Sequence, residues 1–274
     1  MNLYQAKEVT KMLLEFKCSN HRSIKEKVSF SMIAGSDNTS EELLKKFGNF
    51  RILRSAVIYG ANGSGKSNFI SALSFMKDLV SNSINHQPGQ GVFQARHKLS
   101  AEETPSEYSI QFVRNDIRYA YGFSVKQNLI QDEYLYYFPR GRQVKVFERN
   151  GLDVRPGDRY KGVFDVSISI LKDNRLFLSC AANYSNIKEI EEAFMFFNTD
   201  IVVYNPEINN WTEYSIELMQ NNDMIKRVFV DMLRALGTGA KDVKVKLEKI
   251  NPKQSFTEPP ARRIYLKSYN YLTH

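Results

Sequence analysis

The sequence contains little cysteine and histidine, and it contains no long apolar run. Its 274 residues include two cysteines and four histidines. Cys18 and Cys180 are too few for a disulfide framework, and with the scattered histidines they show no metal-ligand spacing. No apolar run approaches the ~18 residues that a membrane span needs, and the N-terminus lacks the apolar segment of a signal peptide. We therefore expect a cytoplasmic protein with no membrane contact, no disulfide framework and no Cys/His metal cluster.

The overall composition is typical of a globular protein, with 42% hydrophobic and 25% charged residues. The length allows one or two domains. The net charge of +8 suits contact with nucleic acid or another polyanion, and it equally suits a protein that is merely soluble. Charge alone therefore leaves nucleic-acid binding open.

One stretch carries most of the functional information. Residues 60–67 fit G-x-x-x-x-G-K-[ST], the phosphate-binding P-loop. The glycines allow a tight turn that directs successive N–H groups at one anion, and the N-terminus of the following helix adds partial positive charge. Lys66 can reach the β- and γ-phosphates, and the Ser67 hydroxyl can ligate Mg2+. The loop residues are Gly60, Ala61, Asn62, Gly63, Ser64, Gly65, Lys66 and Ser67.

The residues on either side of the loop provide the context that a P-loop requires. Residues 56–59 form a short apolar run, typical of a buried strand. After the loop, apolar residues recur as on one face of a helix, at Phe69, Leu73, Met76 and Val80. The sequence therefore predicts a strand at 55–59, a helix at 66–81, and a bound nucleotide.

Hydrophobic periodicity predicts a largely antiparallel fold around this loop. Alternating apolar residues predict a hairpin of strands near 13–18 and 27–33, and a meander of about four strands over 106–155. We expect the aromatic residues of the meander to pack in the core rather than stack on bases. The remaining predicted elements are a short helix over 41–47, a helix beginning near Asn186, a strand over 201–204, a helix over 225–236, and strands over 243–247 and 262–272.

The loop variant and the opening of the chain resemble the heads of ABC-type ATPases related to the SMC and DNA-repair ATPases. Those heads carry Gly-x-Asn-Gly-x-Gly-Lys-Ser-Asn, and Asn68 supplies the last residue here. Their x-Asn-Phe-Arg-Ser segment is similar to residues 19–23, with His21 where Phe is usual. The resemblance implies that Arg22 meets the nucleotide phosphates, with Asn20 and Ser23 as neighbours. A guanidinium can bind phosphate through two hydrogen bonds, and the alternative is a solvated loop arginine.

A closer resemblance is to bacterial AAA-type ATPases with an ABC-like head, which are often encoded in anti-phage defence cassettes. It spans most of residues 12–274 and rests on the order of N-terminal hairpin, P-loop and antiparallel insertion. Residues 116–123 and 130–135 look like the recurring hairpin of that insertion, and residues 147–149 are similar to its following strand. The implied fold is α/β: a P-loop NTPase (ABC-ATPase-like) lobe with an N-terminal β-hairpin and a largely antiparallel β and helical insertion.

The same resemblance implies a domain order, cofactors and partners. We expect a flexible extension at 1–11, a nucleotide-binding lobe at 12–105, and an insertion at 106–274 that returns to the ATPase lobe near 262–274. ATP and Mg2+ are the implied cofactors. A second ATPase head, in a homodimer or larger assembly, is the implied partner, and an effector nuclease or toxin is another.

Two elements of an ABC-type head are not found in the sequence. These are the signature loop and the Walker B strand that ends in Asp-Glu. Asp231 follows apolar residues but lies within a helical pattern and lacks the second acid, and residues 236–239 suit a helix C-cap better than a signature loop. We therefore expect this chain to be the N-terminal portion of a longer head.

Three functions stay open at this point. The chain is an ATPase head that hydrolyses ATP as a dimer, a non-catalytic nucleotide-binding regulatory module, or a nucleic-acid-binding protein. The third alternative depends on a basic cluster that is also typical of a solvated face. Its residues are Arg140, Arg142, Lys145, Arg149, Arg155, Arg159 and Lys161.

Overall fold

The computed structural model describes residues 10–36, 41–204, 210–247 and 262–268. The chain divides into a first unit, Met1–Val203, and a second unit, Tyr204–His274. The predicted extension at 1–11 lies almost entirely outside the described residues, and so does the end of the predicted strand over 262–272. None of the helices in the described ranges is long and apolar enough to cross a membrane.

The N-terminal hairpin forms as predicted. Strands β1 (Lys11–Ser19) and β2 (Val28–Ser31) pair antiparallel, with Phe16 opposite Phe30. Phe16 and Cys18 are buried because alternate side chains of a strand point to the same face. Residues 20–27 form the loop that joins the two strands.

A second hairpin replaces the helix predicted over 41–47, and that prediction is wrong. One 3₁₀ turn ends at Leu43, after which β3 (Leu44–Phe47) pairs with β4 (Phe50–Leu53). Phe47 and Phe50 pack against a small buried cluster that includes Leu14 of β1. Helix propensities differ by only a few tenths of a kcal/mol among most residues, so this packing outweighs them.

The predicted strand at 55–59 is absent. Residues 55–60 have no regular secondary structure, and Val57 and Tyr59 are 83% and 90% exposed. The run has the composition of a buried strand, but a strand also needs a neighbouring backbone with which to pair. Local periodicity carries no information about such a neighbour, and the described residues provide none for this segment.

Helix α1 (Lys66–Asn82) follows the loop, in agreement with the helix predicted at 66–81. Its buried residues recur at helical spacing and face the sheet, and the Phe69 ring lies 5.2 Å from that of Phe16 on β1. Burial of a large apolar side chain such as Phe69 or Met76 stabilises the fold by about 1.5–3 kcal/mol. The first turn of α1 is therefore held against β1.

The predicted meander is present and has five strands rather than about four. They are β5 (Ser106–Arg114), β6 (Ile117–Lys126), β7 (Leu129–Phe138), β8 (Val144–Asn150) and β9 (Asp153–Pro156). Each strand pairs antiparallel with the next, and β5 also pairs with β1, which gives one sheet in the order β2-β1-β5-β6-β7-β8-β9. As expected, aromatic residues of the meander such as Tyr119 and Tyr121 are buried in the core.

Three α-helices and a π-helical turn complete the core of the first unit: α2 (Asp165–Ser169), α3 (Phe177–Tyr184), α4 (Lys188–Met195) and the turn Phe196–Asp200. The helix predicted to begin near Asn186 begins at Lys188. The strand predicted over 201–204 is not formed, and this prediction is wrong. Ile201 packs on the core while Val202 and Tyr204 are exposed, so a run of four apolar residues did not identify a strand.

A buried carboxylate attaches α3 to the sheet. Glu133 on β7 accepts hydrogen bonds from the backbone N–H groups of Phe177 and Leu178, at 2.5 and 2.9 Å. It also forms a buried ion pair with Arg149 on β8, at 3.2 Å. Burial raises the pKa of Glu133, and the positive charge of Arg149 opposes that rise.

The second unit contains α5 (Asn210–Asn221), α6 (Asp223–Ala235), β10 (Ala240–Leu247) and β11 (Arg262–Ser268). The two strands pair antiparallel, and the predictions of a helix over 225–236 and a strand over 243–247 are confirmed. A small core forms around Met219, Val230 and Val243. Taken together, the described chain is α/β with a mostly antiparallel sheet.

Candidate functional site

The loop at 60–65 has the tight backbone that its glycines allow. Gly63 and Gly65 have φ angles of 79° and 95°, in the left-handed region that side chains disfavour. Ser64 donates its backbone N–H to Ala61 O at 3.2 Å, which closes the turn. The loop therefore delivers the chain directly into the first turn of α1.

The N-terminus of α1 carries no side-chain cap. Gly65 occupies the N-cap position, and no side-chain hydrogen bond caps it. The first N–H groups of any α-helix have no partner within the helix, and here they belong to Lys66, Ser67 and Asn68. A 17-residue helix with such an end presents several donors and a partial positive charge to an anion.

Lys66 folds back over the loop that precedes it. Its Nζ donates to Gly60 O at 2.7 Å and to Ala61 O at 2.8 Å. An ammonium group has three N–H donors, so one remains for another acceptor. The positive charge of Lys66 thus lies at the loop, close to the uncapped helix end.

The predicted phosphate-facing segment at 20–23 contacts this first turn. Asn68 donates from Nδ2 to Ser23 Oγ at 2.6 Å. A Cβ atom added at Gly65 would lie 3.1 Å from the same Ser23 oxygen, so the loop passes close to the glycine. The structure therefore brings Ser23, Gly65 and Asn68 together.

Arg22 and Asn20 have different environments within that segment. The Arg22 side chain is exposed, and its backbone N–H donates to Ala95 O at 2.6 Å. The Asn20 side chain is buried, donates to Thr104 O at 2.9 Å and accepts from the His97 N–H at 3.1 Å. Arg22 is thus free of the core, whereas Asn20 holds the loop in place.

His21 is the residue of this segment to which sequence reasoning assigned no role. Its ring is buried, with Nδ1 2.8 Å from Tyr108 Oη and Nε2 3.3 Å from Ser71 Oγ. These partners lie 87 and 50 positions away along the chain. No local signal in the sequence could have identified them.

Two further candidates from the sequence belong to the second unit. Asp231 is on α6 in the second unit and forms an ion pair with Arg234 at 3.1 Å. Residues 236–239 are the nearest match to a signature loop. Gly237 and Gly239 follow the end of α6 with φ angles of 72° and 69°, which is typical of glycines at a helix C-terminus. Neither feature supplies a Walker B carboxylate pair or a signature loop.

The basic cluster does not form one free positive surface. Arg149 is buried against Glu133, and three further members form ion pairs with neighbouring acids: Lys145 with Glu148, Arg155 with Asp153, and Lys161 with Asp158. Arg140 and Arg142 are exposed. Contact with nucleic acid remains a prediction from net charge.

Comparison with known protein families gives a match over part of the chain. Residues 55–161 match the family described as "AAA domain, putative AbiEii toxin, Type IV TA system". No curated protein matches the chain. The matched segment contains the phosphate loop, α1 and the meander, and the chain resembles AAA-type ATPases of the kind found in anti-phage defence systems. An AAA domain is a P-loop NTPase, so the match supports a nucleotide-binding function of the ATPase type.

Proposed function

We propose that this chain binds ATP together with Mg2+ at residues 60–68 and is the nucleotide-binding lobe of an ABC/SMC-like ATPase head. The observation that carries the proposal is the shape of the phosphate loop. Two glycines with positive φ lead into the uncapped first turn of α1, with the Lys66 ammonium lying against the same loop. Aligned backbone donors and a lysine at a helix N-terminus suit a polyphosphate.

Three kinds of group in the loop and first turn have roles in this proposal. The backbone N–H groups of Gly63 and of residues 65–67 bind the phosphates, and Lys66 contributes a point charge. Ser67 is exposed in the first turn of α1, where its hydroxyl is available as a ligand to Mg2+. When bound, ATP supplies the phosphoanhydride bond that ATPases cleave.

Arg22 provides a second, separable phosphate contact. Its guanidinium is exposed, and the next residue, Ser23, bonds to Asn68 in the first turn of α1. A guanidinium on the residue next to Ser23 suits bidentate binding of phosphate oxygens. Asn20 contributes by fixing the loop rather than by facing the ligand.

ATP hydrolysis and assembly with partner proteins are proposed from the resemblance to ABC-type ATPase heads. Turnover needs a carboxylate that activates water. We propose that a Walker B element other than the residues named above supplies it. The proposed partners are a second ATPase head and an effector nuclease or toxin. We propose that this assembly acts in phage defence. The competing proposal is a regulatory module in which ATP is a ligand and not a substrate.

The test is a calorimetric titration of the full chain with Mg-ATP and with adenosine. Lys66→Ala should remove most ATP binding. Arg22→Ala should weaken ATP binding by about ten- to a hundredfold, because a hydrogen bond to a charged group contributes roughly 1.5–3 kcal/mol. Adenosine binding should change much less in both variants.

Lys77 provides the matched control, since it lies on the same helix three turns further on. Lys77→Ala should leave ATP affinity within about twofold of wild type, as expected for a surface change away from the site. Unchanged ATP affinity in Lys66→Ala would overturn the proposed function. Unchanged affinity in Arg22→Ala would leave Arg22 as a solvated loop residue.

A further inference from the structure

The loop at 20–25 contacts α1 at two positions one helical turn apart. Ser23 Oγ accepts from Asn68, and His21 Nε2 lies 3.3 Å from Ser71 Oγ. Residues three apart are neighbours on a helix surface, so both contacts use one side of α1. His21 and Ser23 flank Arg22 in the sequence. The Arg22 backbone is therefore held between two contacts with the helix whose first turn carries the phosphate-binding N–H groups.

The His21 ring connects its loop to two elements of the fold, α1 and β5. Besides Ser71 on α1, it bonds to Tyr108 on β5 at 2.8 Å, and its centroid lies 6.1 Å from that of Phe75. The residue is 2% exposed. A neutral imidazole has one donor and one acceptor nitrogen, so both are engaged here. A buried ring with both nitrogens satisfied fixes the loop in position and orientation.

The backbone of the loop requires such support. Asn20 and Arg22 have φ angles of 52° and 50°. Asparagine adopts this left-handed region with some ease, but arginine does not. A residue in a sparsely populated conformation persists only when its surroundings hold it there. The Arg22 N–H bond to Ala95 O and the contacts of the two neighbours, His21 and Ser23, hold Arg22 in this conformation.

We propose that His21 is a positioning residue for the nucleotide site. Its contacts with Ser71 and Tyr108 hold the Arg22 backbone in the conformation from which the guanidinium meets the triphosphate. This inference rests on the proposed function, because it concerns the same ligand. If His21 positions Arg22, its effect on ATP binding must depend on Arg22. The effect must also be confined to ligands that carry phosphates.

A double-mutant cycle tests this coupling. His21→Phe keeps a buried ring beside Phe75 but removes both hydrogen bonds. In the wild-type background it should weaken Mg-ATP binding by roughly two- to tenfold, the equivalent of one neutral hydrogen bond. In the Arg22→Ala background it should change ATP affinity by less than about twofold, because the coupled partner is already absent. Adenosine affinity should be unaffected in both backgrounds.

His86 provides the matched control. It lies just beyond the other end of α1, and its Nδ1 bonds to Asn174 O at 2.8 Å. His86→Phe should lower the melting temperature without changing ATP affinity. If His21→Phe weakens ATP binding equally in the two backgrounds, or leaves it unchanged in both, the positioning role is overturned.

A second variant keeps the test decisive if His21→Phe does not fold. Ser71→Ala removes the partner on α1 and leaves the His21 ring in place. It should weaken Mg-ATP binding in the wild-type background and not in the Arg22→Ala background, and equal effects in both would contradict the inference. If wild type itself binds no ATP, the proposed function fails first and this inference fails with it. If wild type binds ATP and only the coupling is missing, the inference alone fails.

Discussion

At the scale of single residues, His21 has the environment of a neutral histidine. Burial is the main cause that lowers its pKa, and the positive charge of the adjacent Arg22 adds to the effect, bringing the pKa to about 4. The neutral ring can accept one hydrogen bond and donate another, and the hydroxyls of Tyr108 and Ser71 can each act as donor or acceptor to it.

This shift makes the stability of the first unit depend on pH. The folded-state pKa of about 4 is below the usual unfolded value near 6.5, so the unfolded chain binds more protons between these values. The contribution of His21 is therefore complete above about pH 6.5 and is lost as the pH falls towards 4. The loss amounts to about 3 kcal/mol on linkage arithmetic.

Urea unfolding at pH 7 and pH 4.5 measures this contribution. Wild type should lose about 2–3 kcal/mol more of its free energy of unfolding between these pH values than His21→Phe does, since carboxylate titration is common to both. Equal pH dependence in the two proteins would show that the His21 ring is not buried as described.

The sequence could assign residues to the proposed nucleotide site only where they belong to a recognisable motif. The spacing of the P-loop motif predicts residues 60–67, and the resemblance adds Asn68, Arg22 and the neighbours Asn20 and Ser23. The sequence could not identify Ser71 or Tyr108, because they meet His21 from positions 50 and 87 residues away. Contacts between distant positions follow from the packing of α1 on the sheet, which no short pattern encodes.

At the scale of secondary-structure elements, the segment before the phosphate loop shows that a local preference for strand does not by itself produce a strand. The hairpin and the meander could be predicted because their apolar residues alternate over long runs. The runs at 41–47, 55–59 and 201–204 are short. In each of them, packing and strand pairing determine the structure more than the local sequence does. In particular, residues 55–59 have the composition of a strand without a pairing partner in the described chain.

Substitutions at 55–59 and in β4 test whether residues 55–59 form an exposed irregular segment or a buried strand. Val57→Ser should change the free energy of unfolding by less than about 0.5 kcal/mol, because the side chain is largely exposed. Ile52→Ala should cost about 2–5 kcal/mol, since Ile52 is buried five positions earlier. A loss above about 2 kcal/mol in Val57→Ser, measured by urea unfolding, would mean that 55–59 is a buried strand after all.

At the scale of the whole molecule, the chain combines a complete phosphate-binding loop with an incomplete set of hydrolytic elements. Asp231, the nearest sequence match to a Walker B acid, pairs with Arg234 on α6. We therefore predict that phosphate release from Mg-ATP by this chain stays at or near background, because no water-activating carboxylate has been identified. Turnover that disappears with Lys66→Ala would show that such a carboxylate exists, and Asp231→Asn would be the first variant to test.

Amide hydrogen exchange of the full chain, with and without Mg-ATP, tests the central claim most directly, because it reports where the nucleotide binds. Backbone N–H groups that bond to phosphate exchange more slowly, so ATP should slow exchange at residues 60–68 and, to a smaller extent, at 20–24. The meander at 106–156 should be little changed, and Lys66→Ala should show no slowing at 60–68. Unchanged exchange at 60–68 in wild type saturated with ATP, or equal slowing in Lys66→Ala, would contradict the account.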